Sequence, residues 1–288
     1  MLIGNGRAVV VTGASTGIGA ACAVHLDRLD FVVFAGVRKV EDGEALQRQG
    51  GTNRMIPLIL DVTDDASIQQ SRAIVAEHVG TSGLFGLINN AGIAVVGPLE
   101  AVPIPDLRRQ FEINLIGQVA VIQTFLPLIR LARGRIVNMG SIAGRAAMPL
   151  MGPYSASKFA LEAITDALRL EVQQWGIEVS IVEPGAIATP IWDKSGKSAT
   201  DLEAATTPET RMLYAGVIAG VRKVVAEAAN RAIAPDAVAQ VVEHALTASR
   251  PKTRYLVGAD AKFRALMVKL LPDRVSDAVL TWVLKLPR

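Results

Sequence analysis

The fold of this 288-residue chain is best indicated by one run of residues, Arg7-Ala8-Val9-Val10-Val11-Thr12-Gly13-Ala14-Ser15-Thr16-Gly17-Ile18-Gly19. It begins with a short apolar run rich in valine, which is typical of a buried strand. The glycines that follow have the spacing G-x-x-x-G-x-G and lead into a stretch with helical periodicity. Glycine lets the backbone turn tightly and approach a ligand, and a helix N-terminus attracts a pyrophosphate. The run therefore predicts a strand–loop–helix unit that binds a phosphorylated cofactor, although its spacing is looser than G-x-G-x-x-G.

Outward from this unit, short β-branched runs alternate with longer helical stretches. Seven strands are predicted, at residues 7–11, 31–35, 55–60, 84–88, 135–139, 177–182 and 254–257. Five helices are predicted between them, at 17–28, 64–79, 106–131, 154–175 and 236–248. The alternation predicts an α/β fold with a Rossmann-like, doubly wound, mostly parallel seven-stranded sheet.

We predict a single dinucleotide-binding catalytic domain over residues 1–260. Residues 190–234 depart from the alternation after the sixth strand, where ligands of such sheets bind, and are expected to cover the substrate. Residues 261–288 form a basic C-terminal extension in which apolar residues recur at helical spacing on both sides of Pro272. We expect this amphipathic extension to pack on the protein, to cover the site, to contact another subunit or to lie on a membrane surface.

Charge and cysteine content exclude several classes of protein. The net charge is +3, and residues 261–288 alone carry six cations against two carboxylates. The rest of the chain is therefore slightly acidic, which predicts no nucleic-acid partner. A single cysteine, Cys22, and no signal pattern favour a cytoplasmic protein. No uncharged apolar run reaches the ~18 residues of a membrane span, and the scattered His25, His78 and His244 predict no metal site.

The segment Tyr154-Ser155-Ala156-Ser157-Lys158 indicates the chemistry. Residues four apart on a helix share one face, about one turn apart. An ammonium near a phenol favours the phenolate, so Lys158 is expected to lower the pKa of Tyr154. A phenol so placed is suited to general acid/base chemistry on an alcohol or a carbonyl.

The end of the second strand bears on the choice of cofactor. NAD-specific sites usually place an acidic residue there, whereas an arginine can accept a 2′-phosphate. Residues 35–39 read Ala-Gly-Val-Arg-Lys and contain no acid. Arg38 therefore favours NADP(H), with NAD(H) as the alternative cofactor. Arg38 and Lys39 could also be solvated loop charges with no role in cofactor binding.

Five motifs in order carry a family resemblance: the glycine run, Asn89-Asn90-Ala91-Gly92, Ser141, Tyr154-x-x-x-Lys158 and Pro184-Gly185. With them the chain resembles the short-chain dehydrogenase/reductase family from about residue 7 to residue 258. Residues 157–162 and the C-terminal extension are similar to the hydroxysteroid and retinol dehydrogenase branch.

The resemblance implies a catalytic set of four residues. Tyr154 would exchange a proton with the substrate oxygen, and Lys158 would lower its pKa and bond the nicotinamide ribose. Ser141 would hydrogen-bond the same substrate oxygen. Asn114 would hold a water in the proton relay, with a helix-surface amide as its alternative interpretation.

The resemblance also implies contacts with the cofactor. Asp61 and Val62 would lie beside the adenine; the alternative for Asp61 is a cap of the next helix, a role that Thr63 or Asp64 could serve equally. Ile187 and Thr189 would hold the carboxamide. The complete predicted set is Gly13, Ser15, Thr16, Gly17, Ile18, Gly19, Arg38, Asp61, Val62, Asn90, Ala91, Gly92, Tyr154, Lys158, Ile187 and Thr189.

These features predict an NAD(P)-dependent oxidoreductase that interconverts a small hydrophobic alcohol and its ketone or aldehyde. Ile191, Trp192, Leu213 and Tyr214 are candidates for an apolar substrate pocket. A β-ketoacyl thioester reductase and a non-catalytic cofactor-sensing or scaffold protein are the alternatives. The resemblance implies a homodimer or homotetramer, and the extension 261–288 predicts peripheral membrane contact as one possibility.

Overall fold

A computed structural model of the chain describes residues 3–52, 54–192, 196, 200, 202–204 and 206–286. Within these residues, seven parallel strands form one sheet in the order β3-β2-β1-β4-β5-β6-β7. The strands are β1 (Ala8–Val11), β2 (Val32–Val37), β3 (Met55–Ile59), β4 (Gly86–Asn89), β5 (Arg135–Met139), β6 (Glu178–Pro184) and β7 (Arg254–Val257).

Ten α-helices of the described residues cover and extend this sheet. They are α1 (Gly17–Arg28), α2 (Val40–Gln47), α3 (Asp65–Val79), α4 (Ile104–Phe111), α5 (Gly117–Ala132), α6 (Gly152–Val172), α7 (Pro208–Asn230), α8 (Asp236–Thr247), α9 (Ala259–Leu270) and α10 (Asp273–Val283). A π-helical turn, Glu112–Ile116, joins α4 to α5.

The order of the strands reverses between β1 and β4. Val9 pairs with Val33 of β2 on one side and with Gly86 of β4 on the other. The loops that follow β1 and β4 therefore leave the sheet in adjacent positions and open a crevice at its carboxyl edge. The glycine run lies in the first of these loops.

Two apolar layers hold the sheet between helices. One layer includes Leu26, Phe31, Val242 and Leu246 and lies under α1 and α8. The other layer includes Phe34, Val121, Phe125 and Ile129 and lies under α3 and α5. Because both faces are covered, the strands are apolar along their length rather than alternating.

One continuous helical segment, Ile104–Ala132, is long and apolar enough to cross a membrane by length and composition alone, with a mean hydropathy of 1.6 over 18 residues. The side chains of Val121, Phe125 and Ile129 from this segment are fully buried against the sheet. Packing in the core accounts for these side chains, whereas Ile116 and Leu131 of the same segment are exposed.

The predicted doubly wound sheet is confirmed, and every predicted strand and helix is present with small shifts at its ends. Helix α2 was not predicted, because it buries only Gly43 and Leu46 and shows little periodicity. Within the excursion 190–234, helix α7 occupies Pro208–Asn230. Residues 193–195, 197–199, 201 and 205 of the excursion lie outside the described residues. The extension forms two helices separated by Pro272.

Candidate active site

A cavity of about 590 Å³ occupies the crevice at the carboxyl edge of the sheet. The loops after β1, β2, β3, β4, β5 and β6 contribute to its walls, together with the first turns of α6. All but two of the predicted catalytic and cofactor-binding residues line it. Asn114 and Gly19 are the exceptions and lie behind its wall.

The glycine loop closes the crevice on the side of β1. Gly17 has a φ of +61°, a left-handed conformation that residues with a side chain adopt only with strain. Gly19 packs so closely that an added Cβ would lie 2.3 Å from the carbonyl oxygen of Gly13. Thr16 occupies the N-cap of α1 without a side-chain cap hydrogen bond, so the first N–H groups of α1 are free for an anion.

A polar clasp joins this loop to the end of β4. The Thr12 hydroxyl accepts hydrogen bonds from the backbone N–H groups of Asn90 and Ala91, at 2.9 and 3.0 Å. The Asn90 amide donates to the carbonyls of Thr12 and Gly13, at 3.0 and 3.1 Å. The Asn90 side chain thus holds the glycine loop in place, while Ala91 and Gly92 face the cavity beside it.

The ends of β2 and β3 bring Arg38 and Asp61 to the same cavity. Arg38 is exposed, and it forms no ion pair among the residues that the structure describes. The Asp61 carboxylate accepts from the backbone N–H and the hydroxyl of Thr63, at 2.9 and 2.8 Å. Asp64, not Asp61, caps α3 by accepting from the Ala66 N–H at 3.0 Å.

Ser141, Tyr154 and Lys158 converge at the opposite wall. Ser141 follows β5, and its hydroxyl oxygen accepts from the Ala143 N–H at 3.1 Å, which leaves the O–H group to donate. It lies beside the hydroxyl of Tyr154, in the first turn of α6, closely enough to lower the pKa of that phenol. Lys158 lies 5.9 Å from the centre of the Tyr154 ring and donates to the Met139 carbonyl at 2.6 Å.

The electrostatics of this group differ from our expectation. Burial raises the pKa of Tyr154, and the hydrogen bond from Ser141 opposes this by lowering it. Burial lowers the pKa of Lys158 to about 8, while Glu162 on the next turn raises it. The pKa of Tyr154 thus lies above its ordinary value, whereas we expected Lys158 to lower it, because desolvation of the phenolate dominates.

Asn114 lies in the π-helical turn and is fully buried. Its amide oxygen accepts from the Ile93 N–H at 2.9 Å, and its amide nitrogen donates to the Ile93 carbonyl at 3.0 Å and to the Ser157 hydroxyl at 3.2 Å. The side chain thus fastens the loop after β4 to α6 and is not on the helix surface.

The segment after β6 forms the remaining wall. Ile187 is buried and forms a parallel bridge with Ile233, which keeps this segment extended. Thr189 lies beside Gly17, so the segment reaches from the catalytic wall to the glycine loop. The indole N–H of Trp192 donates to the Ile187 carbonyl at 2.6 Å and orients Trp192, which lines the cavity.

Several lining residues were missed in the sequence. Val224, Val225 and Ala228 of α7 face the cavity. Leu213 and Tyr214, which we expected there, lie on the outside of the same helix, and Tyr214 donates to Glu100 at 2.8 Å. Asp260 and Arg264 of α9 also line the cavity. To predict them, one would have to know which face of α9 turns towards the cavity.

The fold and this site define an oxidoreductase of the short-chain dehydrogenase family, to which the chain belongs. The family model described as short chain dehydrogenase matches residues 7–200. Members of this family act on CH–OH groups with NAD(P), so the predicted enzyme class and family are confirmed.

The relatives agree with this assignment. The chain is 40% identical to human retinol dehydrogenase 5 over 97% of its own length and 89% of that protein. It is 35% identical to the NADPH-dependent 3-dehydrocapnine reductase of Ornithobacterium rhinotracheale, over 95% of each chain. A short chain dehydrogenase of Burkholderia cenocepacia J2315, solved in complex with NADP, is 27% identical over 100% of each chain, with a TM-score of 0.73. The chain thus falls in the branch similar to retinol and hydroxysteroid dehydrogenases.

Proposed function

We propose that the cavity interconverts a hydrophobic alcohol and its carbonyl compound, with Tyr154 as the general acid/base. The observation that carries this proposal is the convergence of Tyr154, Ser141 and Lys158 on one largely apolar cavity. In reduction, Tyr154 donates its proton to the carbonyl oxygen, and Ser141 donates a hydrogen bond to the same oxygen. In oxidation, Tyr154 takes the proton from the alcohol.

The surrounding residues prepare Tyr154 for this exchange. The hydrogen bond from Ser141 stabilises the phenolate, as its effect on the pKa of Tyr154 indicates. Lys158 is anchored by the Met139 carbonyl, so its ammonium stays near the ring. Asn114 positions the loop 90–95 that forms the facing wall, and a water held by Asn114 remains part of the proposed relay.

The residues present fit a dinucleotide cofactor. The uncapped N-terminus of α1 and the close glycine loop suit a pyrophosphate, and Ile187 and Thr189 line the same groove, where they are proposed to hold the carboxamide. When bound, the nicotinamide supplies or accepts the hydride. The remaining contacts proposed for it are those of Ser15, Ile18, Asp61, Val62 and Gly92, which line the cavity.

Replacing Tyr154 with phenylalanine tests the acid/base role. The Tyr154→Phe enzyme should lose at least about 100-fold in kcat/KM on ketones and alcohols, because general acid/base catalysis contributes about 10²- to 10⁴-fold. Tyr214→Phe removes a phenol hydroxyl outside the cavity and is the matched control. Undiminished turnover by Tyr154→Phe would refute this assignment. A panel of steroid, retinoid, aliphatic and acyl-thioester ketones identifies the substrate class.

NADP(H) is the proposed cofactor, since Arg38 lines the groove with no carboxylate paired to it among the described residues. The NADP-bound Burkholderia relative and the NADPH-dependent reductase support this choice. Arg38→Ser should weaken NADPH binding by about 10- to 100-fold and leave NADH binding little changed. Lys39→Ser removes the neighbouring charge, which does not line the cavity, and is the control. A preference of the wild-type enzyme for NADH contradicts the proposal.

We also propose that the C-terminal extension rests on a membrane surface of the cytoplasm. Phe263, Leu270 and Trp282 are 62%, 65% and 80% exposed, and exposed basic residues flank them. Such a surface matches the interface of an anionic bilayer. Phe263→Ser with Trp282→Ser should abolish sedimentation with phosphatidylserine vesicles. Val40→Ser, at an exposed apolar site on α2, should leave it intact.

A homodimer or homotetramer is proposed through α5 and α6. Ile116, Leu131, Phe159 and Leu170 are exposed apolar side chains on these helices or at their ends. Light scattering of the purified protein tests this assembly, and a monomer at micromolar concentration would refute it.

A further inference from the structure

Arg264 is a charged side chain within the cavity for which the proposed chemistry has no use. It lies on α9, is partly buried and lines the same cavity as Tyr154. Its Nη2 donates to the Ala146 carbonyl at 2.9 Å. A guanidinium carries five N–H donors, and this is the one hydrogen bond that Arg264 forms within the described part of the chain.

The charge of Arg264 is only partly balanced. Burial lowers the pKa of Arg264, while Asp260, one turn earlier on α9, raises it. The Asp260 carboxylate accepts from the Ala186 N–H at 2.8 Å and so braces the segment after β6. No carboxylate of the described residues forms an ion pair with Arg264. A desolvated guanidinium in this state is stabilised most by an anion that accepts two hydrogen bonds at once.

An anion that binds Arg264 would belong to the substrate rather than to the cofactor. The groups that suit the phosphates of the cofactor follow β1 and β2, at the N-terminus of α1 and at Arg38. Ala146 follows β5, which lies on the far side of β4 in the sheet. Neighbouring strands are about 4.8 Å apart, so the loop after β5 is separated from the loops after β1 and β2 by the width of one or more strands. Because Arg264 is hydrogen-bonded to Ala146 in the loop after β5, it lies on the catalytic side of the crevice.

Resting on the proposed function, we propose that the substrate is a lipophilic alcohol or ketone that carries an anionic group, and that Arg264 binds this group. The Ala146 contact ties Arg264 to the loop that connects Ser141 to Tyr154. The anionic group is thereby held at a defined distance from the reacting oxygen. Val224, Val225 and Ala228 provide the apolar wall for the rest of the molecule. Arg264 is thus a specificity-determining residue.

Binding of octanoate and of its methyl ester tests this proposal without turnover. Titration calorimetry on the full-length protein saturated with NADP⁺ should show that octanoate binds more tightly than methyl octanoate. Arg264→Gln should weaken octanoate binding by about 10- to 100-fold, the range for a charge-assisted hydrogen bond, and leave the ester unchanged. Arg264→Lys, which keeps the charge, should lose less. Lys223→Gln removes an exposed charge from α7 and should change neither ligand.

Several outcomes would overturn the proposal. Equal weakening of the binding of both ligands by Arg264→Gln would indicate a purely structural role. An octanoate preference that survives Arg264→Gln would show that another group binds the carboxylate. Failure of octanoate to bind the wild-type protein would also refute the proposal. Tyr154→Phe separates this inference from the proposed chemistry, since it should abolish turnover and leave the octanoate preference intact. If Tyr154→Phe stays active while the octanoate result holds, only the acid/base assignment fails.

Discussion

Glu183→Gln should reduce the pH dependence of folding stability in the weakly acidic range. Glu183 on β6 is fully buried, and neither of its carboxyl oxygens has a hydrogen-bond donor among the described residues. Its carboxyl group adjoins that of Glu162 on α6, closely enough for a hydrogen bond between them. The Oε1 atom of Glu162 also lacks a donor. One proton shared between the two carboxyl groups would supply the missing hydrogen bond.

The charges around this pair determine how firmly the proton is held. Arg254 lies 3.2 Å from Glu162 and 3.5 Å from Glu183, and Arg145 lies 3.6 Å from Glu183. Arg254 also pairs with Asp166, whose carboxylate is shared with Arg169. Lys158, one turn before Glu162, is the remaining cation. These groups accommodate one negative charge on the pair, but burial and mutual repulsion oppose a second.

The magnitude follows from the pKa of Glu162, which burial and Glu183 raise from 4.5 to about 7. A raised carboxyl pKa means that the folded state keeps a proton that the unfolded state releases. Stability is therefore lost as the pH rises from about 4.5 to about 7, at about 1.4 kcal/mol per pH unit and by about 3 kcal/mol in total. In Glu183→Gln, the neighbouring carboxyl is replaced by an amide that donates to Glu162, so the part of this loss that Glu183 causes disappears, while the part caused by burial of Glu162 remains.

Urea unfolding of wild type and variant at intervals between about pH 5 and about pH 7 measures this difference. The free energy of unfolding of the wild type should fall relative to that of Glu183→Gln across this range. Glu171→Gln, on the exposed face of α6, controls for the loss of one surface carboxylate. Parallel curves for wild type and Glu183→Gln would refute the shared proton, and so would a variant less stable at every pH.

Three further outcomes are expected from the geometry. Gly19→Ala should lower the melting temperature and abolish dinucleotide binding, because its Cβ would lie 2.3 Å from the Gly13 carbonyl oxygen. Gly51→Ala is the control, since its added Cβ would lie 3.9 Å from the nearest contacting atom, Cγ of Arg28. Normal dinucleotide binding by Gly19→Ala would contradict this prediction. The Cys22 thiol, fully buried with a pKa raised to about 12, should resist alkylation in the native protein and react only on unfolding, which mass spectrometry detects. Asn114→Ala should cost about 1–3 kcal/mol in urea unfolding, because it leaves the partly buried N–H and carbonyl of Ile93 without their side-chain partner; a loss below about 0.5 kcal/mol contradicts this.

Features encoded within a few residues could be predicted from the sequence. The alternation of strands and helices, the glycine loop and the Tyr154–Lys158 pair depend on local periodicity and on the turns that glycine allows. Helix α2 escaped prediction because only one large side chain, Leu46, anchors its eight residues. Leu213 and Tyr214 were expected in the cavity because the sequence does not show which face of α7 turns inward.

By itself, then, the sequence determined the doubly wound sheet, the family and the residue types at the catalytic wall, because hydrophobic periodicity and short motifs act over single elements. Only the tertiary structure decided what depends on distant segments meeting. It placed Arg264 in the cavity, made Glu183 and Glu162 share a buried site, and fixed Asn114 to the loop after β4. It also reversed the expected direction for the pKa of Tyr154, since desolvation arises from every element packed around a group and from no local pattern.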